Sequence, residues 1–304
     1  MREAWGERHA GAPPGRIMPL VCGVLLALAL CSGCTAPRAA LGEHPPPAGA
    51  LVVSFIDVGQ GDAILVQSGG RNYLVDGGRP EAGPEVVDFL RKSGVKRLDG
   101  LVATHPDADH VGGLPQVLDA FDVSTVYLSG DTSATTTFTT FLRGVKEEGA
   151  RVVESRAGMH FDWGGTPVTV VGPPPDSEGG LFPEKNDNSV ALLISRGAAR
   201  ILLAGDAGAE EERYMSLGPY AGPLTILKVD HHGSSYSTTP LFLSRFRPRV
   251  AVISVGADNP YGHPTRQTLR RLKVAGAKIF RTDEDGDVVA TIKDDELEVA
   301  VSRP

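Results

Sequence analysis

The chain of 304 residues has 30 basic and 37 acidic residues, a formal net charge of −7, and a hydrophobic fraction of 41%. This is enough apolar material for one large α/β domain or two small ones, while the acidic balance argues against broad electrostatic attraction to nucleic acid. All three cysteines lie before residue 35, which excludes disulfides and thiolate metal ligands from the main body.

The first 33 residues have the features of a lipoprotein signal peptide. An apolar run over 17–31 follows three arginines and is short for a membrane span, which needs ~20 residues. The stretch LCSGCTAP at its end resembles a bacterial lipobox, in which Cys34 would carry lipid after cleavage. An uncleaved N-terminal anchor is the alternative. Either way, we expect an exported protein anchored on the extracytoplasmic face of a membrane.

Residues 34–50 are small, polar and proline-rich, and they predict a flexible tether to a folded domain over 51–304. Short apolar runs and runs with helical spacing then alternate along the chain. Strands are predicted over 51–58, 63–68, 71–78, 98–105, 123–130, 223–234 and 249–256, with a hairpin over 188–206 and short strands over 151–175 and after 276. Helices are predicted over 83–94, 114–120, 136–149, 209–218, 238–246 and 265–276. This order favours an α/β fold in which two sheets pack face to face with helices outside.

Histidine and aspartate residues occur at the C-terminal ends of five predicted strands. They are Asp76, His105, Asp206, the pair His231 and His232, and His263 in the loop after the fifth strand. Each has an ordinary explanation when taken alone; Asp76, for example, precedes two glycines and could simply form a turn. Strand-end loops are where α/β proteins gather ligands, so the five together predict a functional site.

The densest of these loops is THPDADHVGG, which places two histidines and two aspartates within six residues: His105, Asp107, Asp109 and His110. With LVDGG, LLAGD and VDHHGS, it resembles the successive motifs of the metallo-β-lactamase hydrolase superfamily. The stretches FIDVGQGDAILVQ, NDNSVALLI and NPYGHPT add a resemblance to the hydrolase domain of the ComEC competence family. The similarity runs from about Val52 to His263 and implies an αββα four-layer sandwich with a two-metal site at the loop edges of its sheets.

The resemblance implies two divalent metal ions, Zn²⁺ or Mn²⁺. We assign six ligands: His105, Asp107, Asp109, His110, Asp206 and His231. The pair His105–Asp107 would hold one ion, the pair Asp109–His110 would hold the other, and Asp206 would bridge them. The family pattern allows either His231 or His232 to complete the second site, and we give His232 a catalytic role together with His263.

Two departures from the superfamily pattern affect the predicted metals. The usual loop, His-x-His-x-Asp-His, has a histidine where this chain has Asp107, and a carboxylate shifts the preference toward Mn²⁺ or Mg²⁺. A further family histidine is expected before the strand that ends at Asp206, where this chain has Asn186, Asp187 and Asn188.

Other polar residues receive supporting roles. Asp76 is predicted to orient the ligands without binding metal, and Asp57, Asp62 and Asn188 are predicted to lie in substrate loops. The nearest candidate cations are Lys228 and Arg266. His263, fixed between Gly262 and Pro264, would protonate a leaving oxygen or bind a phosphate oxygen, and packing within its loop is the alternative.

The resulting functional hypothesis is an exported, metal-dependent phosphodiesterase or nuclease that acts on DNA. Its predicted partners are DNA or another phosphodiester, a membrane held through the lipid anchor, and a separate DNA-uptake channel protein. Two alternatives stay open: a phosphoester hydrolase that acts on wall or lipid head groups, and a non-catalytic ligand-binding lipoprotein on the same fold.

Overall fold

The computed structural model describes residues 46–303. The predicted signal peptide, Cys34 and most of the predicted tether lie outside the described residues. Within 46–303, no helix is both long enough and apolar enough to cross a membrane.

Fifteen strands form two sheets in this part of the chain. They are β1 Leu51–Phe55, β2 Ile64–Ser68, β3 Arg71–Val75, β4 Gly100–Ala103, β5 Thr125–Leu128, β6 Arg151–Glu154, β7 His160–Asp162, β8 Pro167–Gly172, β9 Ala191–Arg196, β10 Ala199–Leu203, β11 Ile226–Lys228, β12 Val250–Ile253, β13 Lys278–Arg281, β14 Val288–Lys293 and β15 Glu296–Val301. The first sheet has the order β15-β14-β1-β2-β3-β4-β5-β6, and the second has the order β13-β12-β11-β10-β9-β8-β7.

Eight α-helices connect or flank these strands within the described residues. They are α1 Gly83–Lys92, α2 Ala108–Val111, α3 Leu114–Ala120, α4 Thr136–Glu148, α5 Ala209–Leu217, α6 Pro240–Phe246, α7 Arg266–Val274 and α8 Thr282–Asp285. Short 3₁₀ segments occupy Pro80–Ala82, Asp176–Glu178, Lys185–Asn188 and Asp230–Gly233.

Alternation along the buried strands creates three apolar layers. Ile64 and Val66 of β2 belong to the core between the sheets, whereas Leu65 belongs to the cluster that the first sheet forms with α1, α3 and α4. A third cluster joins the second sheet to α5, α6 and α7. Because successive side chains of a strand point to opposite faces, a sheet that is covered on both sides reads as a continuous apolar run. The predicted αββα sandwich is confirmed.

Parallel pairing brings the strand ends together. β3 to β6 are mutually parallel in the first sheet, and β10 to β13 are mutually parallel in the second. The loops after β3 and β4 therefore share one edge, as do those after β10, β11 and β12. A hydrogen bond of 2.9 Å from the Val190 amide to the Thr104 carbonyl joins the two edges.

Several strands end earlier than the sequence predicts, and two of these ends shape the site. The predicted strand over 51–58 stops at Phe55, after which the chain turns through the glycines of the VGQG segment. The predicted strand over 223–234 is reduced to Ile226–Lys228, and it cannot resume at His231 and His232, which adopt left-handed backbone conformations with φ of 48° and 51°. Left-handed residues cannot continue a strand.

Candidate metal centre

Four buried side chains converge where the sheet edges meet: His105, His110, His232 and Asp206. Within the described residues, ligand atoms lie within 4.8 Å of one another in four groups: His105–His110–Asp206, Asp109–His110–His232, Asp62–Asp206–His232 and Asp62–Asp76–His110. The groups share members, so the four form one continuous cluster.

Asp206 lies at the centre of this cluster. Its Oδ2 atom is 3.3 Å from His110 Nε2 and 3.3 Å from His232 Nε2. The Nε2 atoms of His105, His110 and His232 are buried and have no hydrogen-bond partner among the described residues. An unpartnered polar atom in the interior is costly. Three imidazole nitrogens and a carboxylate at one point are a donor set that suits a divalent cation, so the residues present fit a metal.

Hydrogen bonds at the opposite ring nitrogens fix the histidines. The Nδ1–H of His110 donates to Asp76 Oδ2 at 2.8 Å, and the Nδ1–H of His232 donates to the Ser254 carbonyl at 2.9 Å. His105 Nδ1 lies 3.1 Å from Thr104 Oγ1. Such partners keep the proton of the neutral imidazole on Nδ1 and orient Nε2 toward the metal position.

Asp76 accepts most of the hydrogen bonds in the network that supports these histidines. It is fully buried, its backbone is left-handed with φ of 58°, and it accepts from the Thr104 amide at 2.8 Å and from Thr104 Oγ1 at 2.7 Å, in addition to His110. Thr104 can therefore accept from His105 while it donates to Asp76. Nothing in the sequence pattern marks Thr104 or Ser254 as a partner of these histidines, although Thr104 is the first residue of the THPDADHVGG loop.

The two adjacent histidines are placed differently. His232 is buried and belongs to two of the ligand groups, whereas His231 is half-buried and its Nε2 atom lies 3.8 Å from Asp206 Oδ2. His231 Nδ1 is 3.5 Å from the side-chain amide of Asn186. The geometry therefore favours His232 as the ligand and places His231 nearer the entrance, the reverse of the roles given from the sequence.

The two aspartates of the loop also differ. Asp109 Oδ2 lies 3.5 Å from His232 Nε2 and forms part of a ligand group. Asp107 lies at the rim: its carboxylate is 3.8 Å from His105 Nε2 and its side chain is 48% exposed. Although Asp107 is the N-cap residue of α2, its side chain makes no capping hydrogen bond. Its carboxylate is thus partly open to solvent beside His105.

Asp62 and Lys228 form a buried ion pair behind the ligands. Lys228 Nζ lies 2.5 Å from Asp62 Oδ2, 2.8 Å from the Gly205 carbonyl and 3.4 Å from Asp206 Oδ1. Burial opposes the charge, but Asp62 and Asp206 outweigh it and raise the pKa of Lys228. Lys228 therefore offsets part of the negative charge of the cluster.

The segment before Asp62 supports the metal loop. The Asp62 amide donates to the Asp109 carbonyl at 3.1 Å, and a side chain at Gly61 would place its Cβ 2.2 Å from that same oxygen. Gly61 also has φ of 133°, so only glycine is accommodated there.

Two predicted substrate-loop residues lie in other networks. Asp57 accepts from the Gly59 amide at 3.2 Å and pairs with Arg303. Asn188 closes a loop by bonding to the main chain of Phe182, and it donates to Asp131 at 3.2 Å.

His263 lies beside His231, with ring centroids 5.7 Å apart. Its backbone N–H donates to the Asn259 side chain at 3.0 Å, and its carbonyl accepts from the same side chain at 2.6 Å. Asn259 thus holds the His263 loop at the entrance to the cluster.

The chain matches the family model described as metallo-β-lactamase superfamily over residues 56–257. The chain belongs to this superfamily. The match begins before the VGQG segment and ends at the loop that carries His263, so it includes every ligand group described above.

Curated relatives of the chain include competence proteins. The chain is 33% identical over 245 residues to competence protein ComA of Neisseria gonorrhoeae, covering 79% of this chain and 32% of that protein. It is 29% identical over 256 residues to ComE operon protein 3 of Bacillus subtilis, covering 78% of this chain and 32% of that protein. It thus spans about a third of the length of these relatives. Among solved structures, the metallo-β-lactamase fold protein YhfI of Bacillus subtilis aligns with a TM-score of 0.48 and 13% identity, covering 76% of this chain and 95% of that chain.

The histidines of the site differ in pKa because their surroundings differ. Burial, reinforced by nearby His110, lowers the pKa of His105 to about 3, and burial together with His231 and His232 lowers that of His263 to about 4. For His232, burial is outweighed by Asp206 and Asp109, which raise its pKa to about 9. His105 is therefore neutral at pH 7, as a ligand must be, and a cation bound beside Asp206 would displace the proton from His232.

Proposed function

We propose that the protein is an exported, metal-dependent phosphodiesterase that cleaves DNA. The observation that carries the proposal is the convergence of three unpartnered, buried Nε2 atoms on the Asp206 carboxylate. The donors fit a divalent metal site, as the superfamily implies, and metal ions at the end of a sheet can clamp a phosphodiester.

The competence-protein relatives support DNA as the substrate. ComA of Neisseria gonorrhoeae is named a competence protein, competence being the uptake of DNA, and this chain aligns with about a third of its length. Under the proposal, lipid on Cys34 holds the domain at the outer face of the membrane, where it acts beside a separate DNA-uptake channel protein.

The residues of the cluster divide into two sets, and each set would hold one metal ion. His105 and Asp206, with Asp107 at the rim, would hold one ion, while Asp109, His110 and His232 would hold the other, with Asp206 shared. When bound, divalent ions supply the positive charge that activates water and stabilises the phosphoryl oxygens during displacement. Zn²⁺ and Mn²⁺ both suit this mixture of imidazole and carboxylate donors.

The remaining residues orient the metal ligands, hold the substrate and transfer protons. Asp76 and Thr104 keep the Nδ1 atoms of His105 and His110 protonated, so that Nε2 stays available. His231 and His263 lie side by side at the entrance. A neutral imidazole has one N–H donor and one acceptor nitrogen, so these rings can hold a non-bridging phosphate oxygen or pass a proton to the leaving oxygen.

The test is an activity screen on the full chain after chelation and after reloading with Mn²⁺ or Zn²⁺. The substrates are single-stranded DNA, duplex DNA, bis-p-nitrophenyl phosphate and a phospholipid head-group ester. We expect hydrolysis of DNA and of the reporter that disappears on chelation and returns with metal. Asp206→Ala should reduce it by at least ~100-fold, since a lost ligand exceeds the 10–100-fold effect of a lost supporting group.

Asp99→Ala is the matched control because Asp99 precedes β4 at the end opposite to the metal loop and pairs with Arg71. It should leave the rates within about twofold. Cleavage of the head-group ester without cleavage of DNA would replace the proposal with the alternative hydrolase. A metal-free protein without any of these activities would favour the ligand-binding alternative.

A further inference from the structure

Two exposed tyrosines lie in the loops next to His232 and His263. Among the Phe, Tyr and Trp side chains of residues 46 to 303, those that are exposed are Tyr236, at 82%, and Tyr261, at 58%. Tyr236 lies in the loop that follows His232, and Tyr261 lies in the loop that carries His263, with its ring 5.8 Å from the His263 ring. Both rings therefore lie in loops adjacent to histidines of the site, where they are free to stack on a bound ligand.

Helix α7 adds a row of positive charge to the same region. Arg266, Arg270 and Lys273 are exposed, and their spacing of four and three residues puts them on one helical face. At 1.5 Å per residue, the row extends ~10 Å along the helix. The helix contains no acidic residue, and its opposite face is buried through Thr268 and Leu272.

Hydrogen bonds hold this helix against the site loops. The Thr265 amide donates to the Gly233 carbonyl at 2.9 Å, and Thr268 Oγ1 donates to the Ser234 carbonyl at 2.7 Å. Arg271 donates to the carbonyls on either side of Tyr236, at 3.0 Å each. The charged row therefore starts three residues after His263 and leads away from the metal centre in a fixed direction.

We propose that these five side chains, Tyr236, Tyr261, Arg266, Arg270 and Lys273, form an aromatic–basic track that binds single-stranded DNA and delivers it to the metal centre. The inference rests on the proposed phosphodiesterase function and adds the strand state of its substrate. Aromatic rings beside a cationic row bind a single strand because unpaired bases stack on the rings while phosphates follow the charges. In a duplex the base faces are stacked on one another, so only the contacts between phosphates and basic residues contribute to binding.

An anionic membrane surface could also attract tyrosine and basic residues. The location argues against it here. Tyr261 packs on His263 and Tyr236 follows His232, so a bilayer docked on the track would cover the entrance to the metal centre. A flexible single strand reaches the entrance without blocking it.

Binding is measured by fluorescence anisotropy on the full chain in EDTA, so that no hydrolysis occurs. The probes are a labelled oligothymidine, the same oligonucleotide in duplex form, and phosphatidylglycerol vesicles. We expect the single strand to bind at least tenfold more tightly than the duplex. Tyr236→Ala should weaken single-strand binding by roughly tenfold and leave duplex binding nearly unchanged, while Tyr236→Phe retains wild-type affinity because it keeps the ring.

The basic row is tested through its salt dependence. Arg270→Glu with Lys273→Glu should reduce the slope of log K against log salt by about 0.7 for each phosphate that the variant no longer neutralises. Arg143→Glu with Lys146→Glu is the matched control: it makes the same charge change at exposed residues of α4, in the opposite outer layer, and should keep the wild-type slope.

Equal affinity for single strand and duplex, or single-strand binding that Tyr236→Ala does not change, would overturn the inference. Variants that lose vesicle binding but keep oligonucleotide binding would assign the surface to a membrane instead. Because binding is measured without metal, its failure is distinct from a failure of the proposed function, which shows as absent hydrolysis of bis-p-nitrophenyl phosphate by the metal-loaded protein.

Discussion

Replacing Asp76 by asparagine should weaken metal binding although Asp76 binds no metal in the proposed site. The asparagine oxygen can still accept from the Thr104 amide, which lies 2.8 Å from Asp76 Oδ1. The new NH₂ group, however, replaces the oxygen that accepts from Thr104 Oγ1 at 2.7 Å and from His110 Nδ1 at 2.8 Å. A donor would then face the Nδ1–H of His110.

The conflict is relieved when His110 moves its proton from Nδ1 to Nε2, where it blocks the lone pair that a metal needs. Thr104 Oγ1 would likewise accept from the new NH₂ group and donate to His105, with the same effect on that ring. A hydrogen bond to a charged group contributes ~1.5–3 kcal/mol. At ~1.4 kcal/mol per factor of ten, the expected loss of metal affinity is about 10–100-fold.

The assay is a competition titration of Zn²⁺ and Mn²⁺ against a chromophoric chelator. Asp57→Asn is the matched control, because it also neutralises a strand-end carboxylate but one that pairs with Arg303 away from the cluster. The control should bind metal as the wild type does. Wild-type affinity in Asp76→Asn would refute the tautomer reasoning.

Four further predictions concern the metal ligands, a buried carboxyl group and the N-terminal cysteine. Asp107→His should strengthen Zn²⁺ binding and reduce activity supported by Mn²⁺, because imidazole replaces a hard carboxylate; an unchanged metal preference in paired titrations would remove Asp107 from the ligand set. His232→Ala should lose metal affinity by at least ~100-fold while His231→Ala mainly lowers the rate, which metal analysis and kinetics on the two variants separate. Burial, with the neighbouring Asp187 carboxylate, raises the pKa of Glu211 well above the ordinary carboxyl value of 4.5, so the unfolding free energy falls as pH rises above that value. Glu211→Gln should flatten this fall, by at most ~1.4 kcal/mol per pH unit, in urea unfolding between about pH 5 and 8, and an identical slope would contradict it. Cys34→Ser should release the protein from membranes or leave it unprocessed, whereas a wild-type protein that fractionates as soluble with an unmodified Cys34 would count against lipidation.

The sequence predicted the architecture well because burial leaves a simple pattern. Strands covered on both faces appear as short apolar runs, and polar residues at their ends mark the shared edge. This pattern pointed to Asp206 and His105, and the structure places their potential ligand atoms within 4.8 Å of each other.

The choice between His231 and His232 could not be made from the sequence. Adjacent side chains of a β-strand point in opposite directions. Here both histidines have left-handed backbones, so the directions of their side chains depend on that local geometry. Thr104 and Ser254 were missed for a related reason. Hydroxyl and carbonyl groups are common, and their role as imidazole partners depends on three-dimensional proximity alone.

We propose that the cluster around Asp206 is a metal centre that cleaves phosphodiesters. The most direct measurement is the metal content of the purified full chain and of Asp206→Ala, determined by plasma mass spectrometry with bis-p-nitrophenyl phosphate rates on the same samples. We expect two equivalents of divalent metal in the active protein, and a parallel loss of metal and rate in the variant. Full metal content in Asp206→Ala, or hydrolysis by protein that holds no metal, would contradict it.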